Sequence, residues 1–482
     1  MRGIIGSAGY VPHRRLRREA IAAVHGSSAG KGTRAVASYD EDTTTLAVEA
    51  ARRAIRPLAA APGPTAIEAL WFATTSPTYL DKTNATAIHA ALRLDRSAPA
   101  IDMGGAVRSS IGALQAALRG GPTTLVAAAD TRTGLPNGPD ERDGGDAAAA
   151  FVVGDGSEGA PLLAEHLGGA SATEEFLDRW RVPGEPRSKQ WEERFGELHY
   201  VALGEQAWSE ALEATGVTAD RIDTLIVTGP HGRAVGRVRK ALSAEVGGAA
   251  DDLTSEIGQS GAAHPLLLLA AVLESAEPGQ IVALVSLADG ADVLLFRTTD
   301  AVTSLRTGRT VAAQVASGDD SLTYGRFLSW KGMLTVEPPR RPEPARASAS
   351  AAARNADWKF GLVASRDHST GALHMPPSRV SFDGGAVDDM DPAPMADAVG
   401  TIVTSTVDRL AYSPSPPIVF AVVDFDATAD GRRGRLPVEL TDVGADEVRI
   451  GDRVEMTFRV LNSADGIRNY FWKARPMRGE GG

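Results

Sequence analysis

Short apolar runs alternate with amphipathic stretches through the first two thirds of the chain. Strands of the buried type are predicted at residues 2–10, 69–74, 123–129, 224–228, 281–287 and 293–296, and another strand ends at 101–102. Helices are predicted at residues 40–55, 83–92, 109–118, 208–214, 234–242 and 264–274, where apolar positions recur at helical spacing. This alternation predicts an α/β fold whose strands are mainly parallel and buried. Because the order of elements recurs in the second half, the sequence suggests a duplicated unit.

Three later stretches depart from this pattern. Residues 173–195 are rich in Trp and Arg and fit neither half, so we interpret them as an insertion. Residues 337–354 (EPPRRPEPARASASAAAR) are dominated by Pro, Arg, Ala and Ser and cannot build a core, which predicts an extended linker. After this linker, short runs rich in Val, Ile, Phe and Thr occur at residues 397–407, 417–425, 436–440, 453–460 and 470–473. They predict a small domain resembling a five-stranded β-barrel.

Composition narrows the classes of function. The chain has 482 residues, 43% hydrophobic and 23% charged, which is typical of a folded globular protein. A formal charge of −11 disfavours nucleic acid as a partner. We expect no membrane partner, because no long apolar run occurs, and a cytoplasmic location, because the glycine-broken residues 1–12 lack a secretory pattern. The absence of cysteine excludes disulfides, thiolate metal sites and cysteine nucleophiles.

Four motifs carry a resemblance to a known family. They are KGTRAVASYDEDTTTLAVEA at residues 31–50, GDAAAAFVVGDG at 145–156, VTGPH at 227–231 and SLADGADVLLF at 286–296. In this order, residues 1–335 resemble archaeal-type hydroxymethylglutaryl-CoA synthases of the thiolase superfamily, and more distantly ketoacyl synthase III. The resemblance implies a thiolase-like, duplicated five-layer αβαβα fold that pairs as a homodimer. Residues 358–482 resemble acyl-CoA-associated OB-fold domains that are preceded by a zinc ribbon. This resemblance implies a linker at 336–357, a degenerate zinc-ribbon-like segment (the ribbon) at 358–395 and an OB-fold domain at 396–482.

The position of the family's nucleophile is altered in this chain. The superfamily places an acidic residue at a strand end, a cysteine five residues later and a leucine seven residues beyond the cysteine. Asp102, Val107 and Leu114 match this spacing without a gap, so the resemblance assigns the nucleophile position to Val107. A valine cannot form an acyl-enzyme. Ser109 and Ser110 follow closely, but on a helix they face other directions.

Other family positions are partly kept. His231 matches the catalytic histidine; the alternative is a strand-end histidine stacked on Arg233. Gln259 stands where the family has an asparagine, and Thr75 stands where the synthases have an acidic residue. Tyr79 is our candidate for replacing this acid. The alternative is that its side chain has only a packing role.

The resemblance also implies binding groups. The backbone N–H groups of Val107 and Gly290 form the expected oxyanion hole. Arg108 and Arg132 are candidates for binding a CoA phosphate, with solvated arginines as the alternative. The four positions of the ribbon's zinc ligands read Ser365, His368, Ser381 and Gly384, so we predict no metal. The Trp- and Arg-rich insertion either covers an acyl tunnel or makes an oligomer contact.

Three functions remain open at this point. The first is an enzyme of aldol or retro-aldol type on an acyl thioester, in which His231, with Tyr79, carries the proton; related cysteine-less proteins paired with an OB-fold domain cleave steroid side-chain thioesters. The second is a condensing enzyme or acyltransferase that uses Ser109 or Ser110 as the nucleophile. The third is a non-catalytic scaffold. In each case we expect a thioester of CoA or of an acyl carrier protein's phosphopantetheine as the ligand, and no tightly bound cofactor.

Overall fold

The computed structural model describes residues 2–27, 30–60, 65–426 and 434–478. The chain forms two compact units. The first unit consists of Met1–Ser38, Asp42–Thr86 and Leu94–Phe327, and the second consists of Tyr39–Glu41, Ala87–Arg93 and Leu328–Gly482. Among the described residues, no helix combines the length and the hydropathy needed to cross a bilayer.

The first two thirds of the chain carry alternating strands and helices. The strands are β1 (Arg2–Tyr10), β2 (Arg14–Arg17), β3 (Thr33–Val36), β4 (Ala69–Thr74), β5 (Ala100–Gly104), β6 (Thr124–Asp130), β7 (Ala147–Asp155), β8 (Ala164–Ala172), β9 (Arg179–Trp180), β10 (Lys189–Gln190), β11 (Thr224–Thr228), β12 (Ile281–Leu287) and β13 (Ala291–Thr298). The helices are α1 (Arg18–His25), α2 (Thr43–Ala60), α3 (Ala85–Ala91), α4 (Ser109–Leu118), α5 (Pro139–Asp143), α6 (Glu193–Thr215), α7 (Gly232–Leu242), α8 (Thr254–Ile257), α9 (His264–Ser275), α10 (Val311–Ala316) and α11 (Tyr324–Trp330). Short 3₁₀ turns lie at Ala219–Arg221, Gly261–Ala263 and Asp300–Arg306.

The main sheet is mixed, so the prediction of mainly parallel strands is wrong. Its order is β11-β12-β13-β8-β1-β7-β6-β4-β5. Strand β4 pairs in parallel with β5 and β6, and β11 with β12, whereas the pairs β1–β7, β1–β8, β6–β7, β12–β13 and β8–β13 are antiparallel. A strand buried on both faces has the same apolar pattern in either orientation, so the pattern alone could not decide. The three-residue connection between β12 and β13 permits only an antiparallel pair.

The two halves of the sheet enclose two central helices. Strands β1 and β8 share a ladder of only two residue pairs, which joins the halves. Helices α4 and α9 contribute Leu114 and Leu267 to one buried cluster, together with Phe151 from the first half and Phe296 from the second. Helices α6 and α7 cover the other side of β11–β13, and α2 packs on β1, β6 and β7. The layers therefore alternate as αβαβα, and the expected thiolase-like architecture is confirmed.

The second unit contains α12 (Ala349–Arg354), α13 (Ala356–Lys359) and two sheets. Strands β14 (Val363–Asp367), β15 (Leu373–His374) and β16 (Met390–Pro394) form the smaller sheet. The larger sheet has the order β19-β18-β17-β20-β21 and is built from β17 (Val399–Asp408), β18 (Ile418–Phe425), β19 (Arg435–Glu439), β20 (Arg453–Ala464) and β21 (Ile467–Pro476). A bridge between Leu440 and Ala474 brings its two edges together. The predicted five-stranded barrel is therefore confirmed, although helix α12 lies within the stretch predicted to be extended.

Serine hydroxyls close the turns at the expected ligand positions of the ribbon. Ser365 Oγ accepts the N–H of Ser378 at 2.9 Å, and Ser381 Oγ donates to the carbonyl of Asp383 at 2.9 Å. His368 contacts the carboxylates of Asp389 and Asp391 at 2.6 and 2.8 Å. Within the described part of the chain, no three His, Cys, Asp or Glu side chains are arranged to hold a metal ion.

Among the described residues of the second unit, Lys473 and Arg459 are fully buried cations. Lys473 Nζ lies 3.1 Å from a carboxylate oxygen of Asp40 and 2.8 Å from one of Glu439. Arg459 pairs with Asp442 at 2.7 Å and also with Glu41. A buried charge is tolerated only when it is paired, so these residues form an ionic core beside the apolar one.

Candidate functional site

A cleft of about 660 Å³ in the first unit collects the candidate residues of the second half. Its wall is formed by the end of β11, the start of α7, the segment before α9, helix α5 and the region of β9 and β10. The charged and polar side chains of this wall include Arg132, Asp140, Asp143, Asp178, Arg179, Glu193, His231, Arg239, Gln259 and His264.

His231 caps the helix that begins beside it. Its Nδ1 accepts the backbone N–H of Ala234 at 3.2 Å, and its Nε2 lies 2.9 Å from the carbonyl oxygen of Glu193. A carbonyl can only accept, so the ring proton resides on Nε2. In this state His231 presents a hydrogen-bond donor to the cleft, and Glu193 occupies that donor.

Gln259 is fixed at its backbone and carries an unsatisfied side-chain donor. Its backbone N–H donates to the carbonyl of Asp143 at 2.7 Å, and its Oε1 accepts the N–H of Gly261 at 2.6 Å. Its Nε2 is shielded from solvent and has no hydrogen-bond partner among the residues that the structure describes. An unsatisfied buried donor costs about 1–3 kcal/mol, and a ligand oxygen would relieve this cost.

Arg132 and Arg179 approach the same carboxylate unequally. Arg179 Nη2 donates to both oxygens of Asp140, at 2.8 and 2.7 Å. Arg132 Nη2 remains 3.8 Å from Asp140, and its Nη1 makes a long bond of 3.4 Å to the hydroxyl of Thr75. Arg132 is only 9% exposed, and its pKa is lowered, first by desolvation and then by the nearby Arg179.

The predicted insertion forms a small hairpin that reaches into the site. Strand β9 pairs with β10 through Trp180 with Lys189 and Arg179 with Gln190. Successive strand residues face opposite sides, so Arg179 and Arg181 share one face. Arg181 donates to the backbone carbonyl of Thr75. The hairpin thus brings guanidinium groups to the position at which the family resemblance expects an acidic residue.

Asp130 holds two loops of the site together. Its carboxylate accepts from the backbone N–H and the hydroxyl of Thr75, at 2.7 and 2.8 Å, and from the hydroxyl of Thr74 at 3.0 Å. It also accepts the N–H of Ala262 at 2.7 Å, beside the loop of Gln259. Asp130 therefore connects the end of β4 with the segment that precedes α9.

Two backbone N–H groups at or beside the turn before α4 are available to a ligand. Val107 is 8% exposed, and among the described residues the backbone N–H groups of Val107 and Gly290 donate no hydrogen bond. Ser110 is fully buried and its Oγ donates to the carbonyl of Val107 at 3.3 Å. Ser109 Oγ donates to the carbonyl of Gly104 at 3.2 Å.

Arg108 connects this turn to the second half of the fold. Its Nε and Nη2 bind the two carboxylate oxygens of Asp292 at 2.8 and 3.2 Å, and its Nη1 donates to the carbonyl of Asp289 at 2.7 Å. Gly290, at φ 131°, leaves room for the guanidinium, because a Cβ there would lie 2.5 Å from Nη1. Every nitrogen of Arg108 thus contacts the protein itself.

The structure therefore divides the predicted residues into two groups. His231, Gln259 and Arg132 line the cleft. Val107, Arg108, Ser109, Ser110 and Gly290 surround the turn before α4 and are not part of the cleft wall. Tyr79 belongs to neither group; its backbone N–H donates to Asn84, which in turn binds Asp102.

Sequence reasoning missed several residues of the cleft. Arg179 and Asp140 belong to it, and the signal for Arg179 was the arginine-rich insertion, whose Arg181 instead contacts the Thr75 carbonyl outside the cleft wall. It also missed His264, whose Nδ1 lies 3.1 Å from the hydroxyl of Ser260 and whose Nε2 lies 3.1 Å from the carbonyl of Asp252. Burial lowers the pKa of His264 to about 4, so this ring is neutral at pH 7.

Comparison with known proteins identifies relatives for both units. Residues 394–459 match the family described as ChsH2, C-terminal OB-fold domain. A hydroxymethylglutaryl-CoA synthase of Aeropyrum pernix is 30% identical over 350 residues, which cover 69% of this chain and 95% of the relative.

Solved structures show the same fold. The structure of MvaS in complex with 3-hydroxy-3-methylglutaryl coenzyme A is similar with a TM-score of 0.58 and 21% identity, covering 72% of this chain and 95% of MvaS. The 3-oxoacyl-[acyl-carrier-protein] synthase III of Aquifex aeolicus VF5 is similar with a TM-score of 0.52 and 19% identity, covering 62% of this chain and all of that protein (100%).

Proposed function

Because this chain belongs to the hydroxymethylglutaryl-CoA synthase family, we propose that it is an enzyme acting on acyl thioesters of CoA or of an acyl carrier protein. The reaction is the making or breaking of a C–C bond next to the thioester carbonyl, of aldol or retro-aldol type. No covalent acyl-enzyme is formed. The thioester is the substrate, and the proposed reaction uses no tightly bound cofactor.

One observation carries the proposal: a chain of this family has no cysteine and keeps the unoccupied backbone donors of Val107 and Gly290. Because the chain has no thiol, the proposed catalysis depends on hydrogen bonds and charges. A preorganised donor aimed at an oxygen that becomes negative contributes typically ~3 kcal/mol to the rate. Free donors at this turn are therefore what an enolate mechanism requires.

The cleft supplies further donors of the same kind. His231 presents Nε2–H and Gln259 presents Nε2–H₂ within one wall. A substrate carbonyl or hydroxyl that displaces the Glu193 carbonyl would accept the hydrogen bond of His231. For His231 to act as the proton carrier instead, the ring proton must first leave Nε2, and Nδ1 must stop accepting the hydrogen bond from the backbone N–H of Ala234.

The serine alternative is less well supported by the same contacts. The hydroxyl of Ser110 is buried and committed to the Val107 carbonyl, and the hydroxyl of Ser109 is committed to Gly104. A serine nucleophile needs its base within hydrogen-bond reach, and here that base is absent from the described contacts.

We also propose a homodimer formed through the first unit. Strand β5 is the edge of the main sheet, and its Ile101 is 48% exposed. An uncovered edge strand offers unpaired backbone groups to a second strand. A second copy of this chain would continue the sheet there.

The decisive experiment combines intact mass with turnover. The protein is incubated with a panel of β-hydroxyacyl-CoA thioesters, and its mass and the small-molecule products are measured together. Cleavage products without a protein adduct, lost in His231→Ala, support the proposal. An adduct that Ser109→Ala or Ser110→Ala removes would establish the nucleophilic alternative, and binding without turnover would establish a scaffold.

A further inference from the structure

Arg132 is a desolvated cation in the wall of the cleft. It is 9% exposed. Among the described residues, its guanidinium makes a single hydrogen bond, the long one to the Thr75 hydroxyl. Burying a guanidinium costs several kcal/mol unless an anion compensates it. The described residues give Arg132 no carboxylate at hydrogen-bond distance.

The two nearest carboxylates are engaged elsewhere. Arg179 takes both oxygens of Asp140, and Asp130 accepts four hydrogen bonds from Thr74, Thr75 and Ala262. The charged groups that act most strongly on Arg132 are Arg179, Asp130, Asp140 and Arg181, so that with Arg132 itself three cations stand against two anions. A net positive charge therefore remains near Arg132.

Two glycines shape the path of the Arg132 side chain. A Cβ on Gly144 would lie 2.8 Å from Arg132 Cβ, and a Cβ on Gly261 would lie 3.2 Å from Arg132 Cδ. The backbone of Arg132 is held as well, because its N–H donates to Asp146 at 2.7 Å and its carbonyl accepts from Arg34 at 2.8 Å. The guanidinium is thus positioned by the fold and not by solvent.

We propose that Arg132 is a catalytic residue that forms an ion pair with the substrate oxygen that becomes negative during the reaction. The positive charge of Arg132 would then act beside Thr75, at the position where the family resemblance expects an acidic residue. This inference rests on the proposed function, and it names a residue that the family's chemistry does not supply.

The proposed step needs no reagent other than water and its hydroxide ion. In the bond-forming direction, hydroxide takes the α-proton of the thioester, and the electron pair of the resulting enolate forms the new C–C bond to a carbonyl carbon. The π pair of that carbonyl moves to its oxygen, and Arg132 holds the alkoxide until a water molecule protonates it and regenerates hydroxide. In the cleavage direction, hydroxide removes the proton of the β-hydroxyl group, the alkoxide electrons re-form the carbonyl as the C–C bond breaks, and water protonates the enolate that is released.

The kinetic test uses substitutions at Arg132 in the full chain. Arg132→Gln is expected to lower kcat about 100-fold while KM changes by less than about threefold, because charge stabilisation acts in the transition state. Millimolar guanidinium chloride should restore at least part of the activity of Arg132→Ala, whereas urea at the same concentration should not. Arg297→Gln is the control, because Arg297 on β13 pairs with Glu165 at 3.6 Å and lies outside the cleft wall.

A binding measurement separates this inference from the proposed function. S-carboxymethyl-CoA places a carboxylate in the reacting region, and S-carbamoylmethyl-CoA is its neutral counterpart. Wild type is expected to prefer the anion about tenfold or more, and Arg132→Gln to lose this preference without losing the neutral ligand. Equal binding of both ligands by wild type would overturn the role of Arg132 alone. Failure to bind either ligand would overturn the proposed function together with it.

Discussion

The imidazole of His231 accepts the backbone N–H of Ala234, and this one hydrogen bond fixes where the ring proton lies. With Nδ1 occupied as an acceptor, Nε2 carries the proton and faces the carbonyl of Glu193. The residue that family resemblance identifies as a catalytic histidine is therefore arranged as a donor.

This arrangement makes His231→Gln more informative than His231→Ala. Glutamine retains an N–H donor close to the position of Nε2 but cannot transfer a proton. We expect His231→Ala to lose about 100-fold in kcat and His231→Gln to lose less than about tenfold. Steady-state kinetics of both variants provide the measurement, and an equal loss in both would instead identify His231 as the proton carrier.

The pair of Arg179 and Asp140 controls the charge available at Arg132. Removing the cation in Arg179→Gln leaves Asp140 free to bind Arg132, so the affinity for S-carboxymethyl-CoA should fall about tenfold. Adding Asp140→Asn should restore most of this affinity, because the competing anion is then gone. Calorimetric titration of the single and double variants tests the coupling, and additive effects would contradict it.

Neither serine near the turn is expected to become acylated. Because both hydroxyls are committed to backbone carbonyls, Ser109→Ala and Ser110→Ala should keep kcat within about threefold of wild type. Intact mass spectrometry after incubation with acyl-CoA should show an unmodified chain in all three proteins. A stable acyl mass on wild type alone would refute this expectation.

His264 should make the first unit sensitive to acid. Its pKa is lowered to about 4 by burial, whereas an unfolded histidine titrates near 6.5, so the unfolded chain binds the proton first as the pH falls. Its stabilising effect is complete above about pH 6.5 and is reduced by about 2 kcal/mol at about pH 5.

Urea unfolding of wild type and of His264→Gln at about pH 7 and about pH 5 measures this contribution. The wild type should lose more stability than the variant between the two conditions. Parallel losses in both proteins would show that His264 is not the group responsible.

The ribbon should be insensitive to metal chelation and sensitive to its serines. Ser365→Ala and Ser381→Ala each remove hydrogen bonds at a buried position and should cost about 1–2 kcal/mol in the second unit. Ser405→Ala, at an exposed position of β17, is the control. Treatment with EDTA should leave the thermal unfolding unchanged, and a metal-dependent shift in Tm would contradict the prediction of a metal-free ribbon.

The sequence predicted the elements well where local pattern decides them. Strands β1, β4, β11 and β12 and helix α4 have the predicted bounds, because each is a compact apolar run or amphipathic stretch ended by glycine or polar residues. Helix α6 begins fifteen residues before its predicted start at residue 208, in Glu193–Thr215, and its earlier part contains Gly196 and Gly204, which are poor helix formers. Strand direction was not predictable from a symmetrical apolar pattern.

Only those residues of the cleft that belong to recognisable sequence motifs could be predicted. His231 and Gln259 were found because a strand-end motif and a glycine-rich loop mark them. Arg179 and Asp140 were not, because their roles depend on contacts between segments that are distant along the chain. The same holds for Lys473, which pattern would place at the surface and which is fully buried between Asp40 and Glu439.

The clamp of Arg108 on Asp292 has a consequence for engineering the neighbouring position. Two hydrogen bonds, at 2.8 and 3.2 Å, tie the bend before α4 to strand β13. These bonds use only the side chains of Arg108 and Asp292, so Val107→Cys should leave them in place. A thiol is therefore expected to be tolerated at position 107 without rebuilding the surrounding backbone.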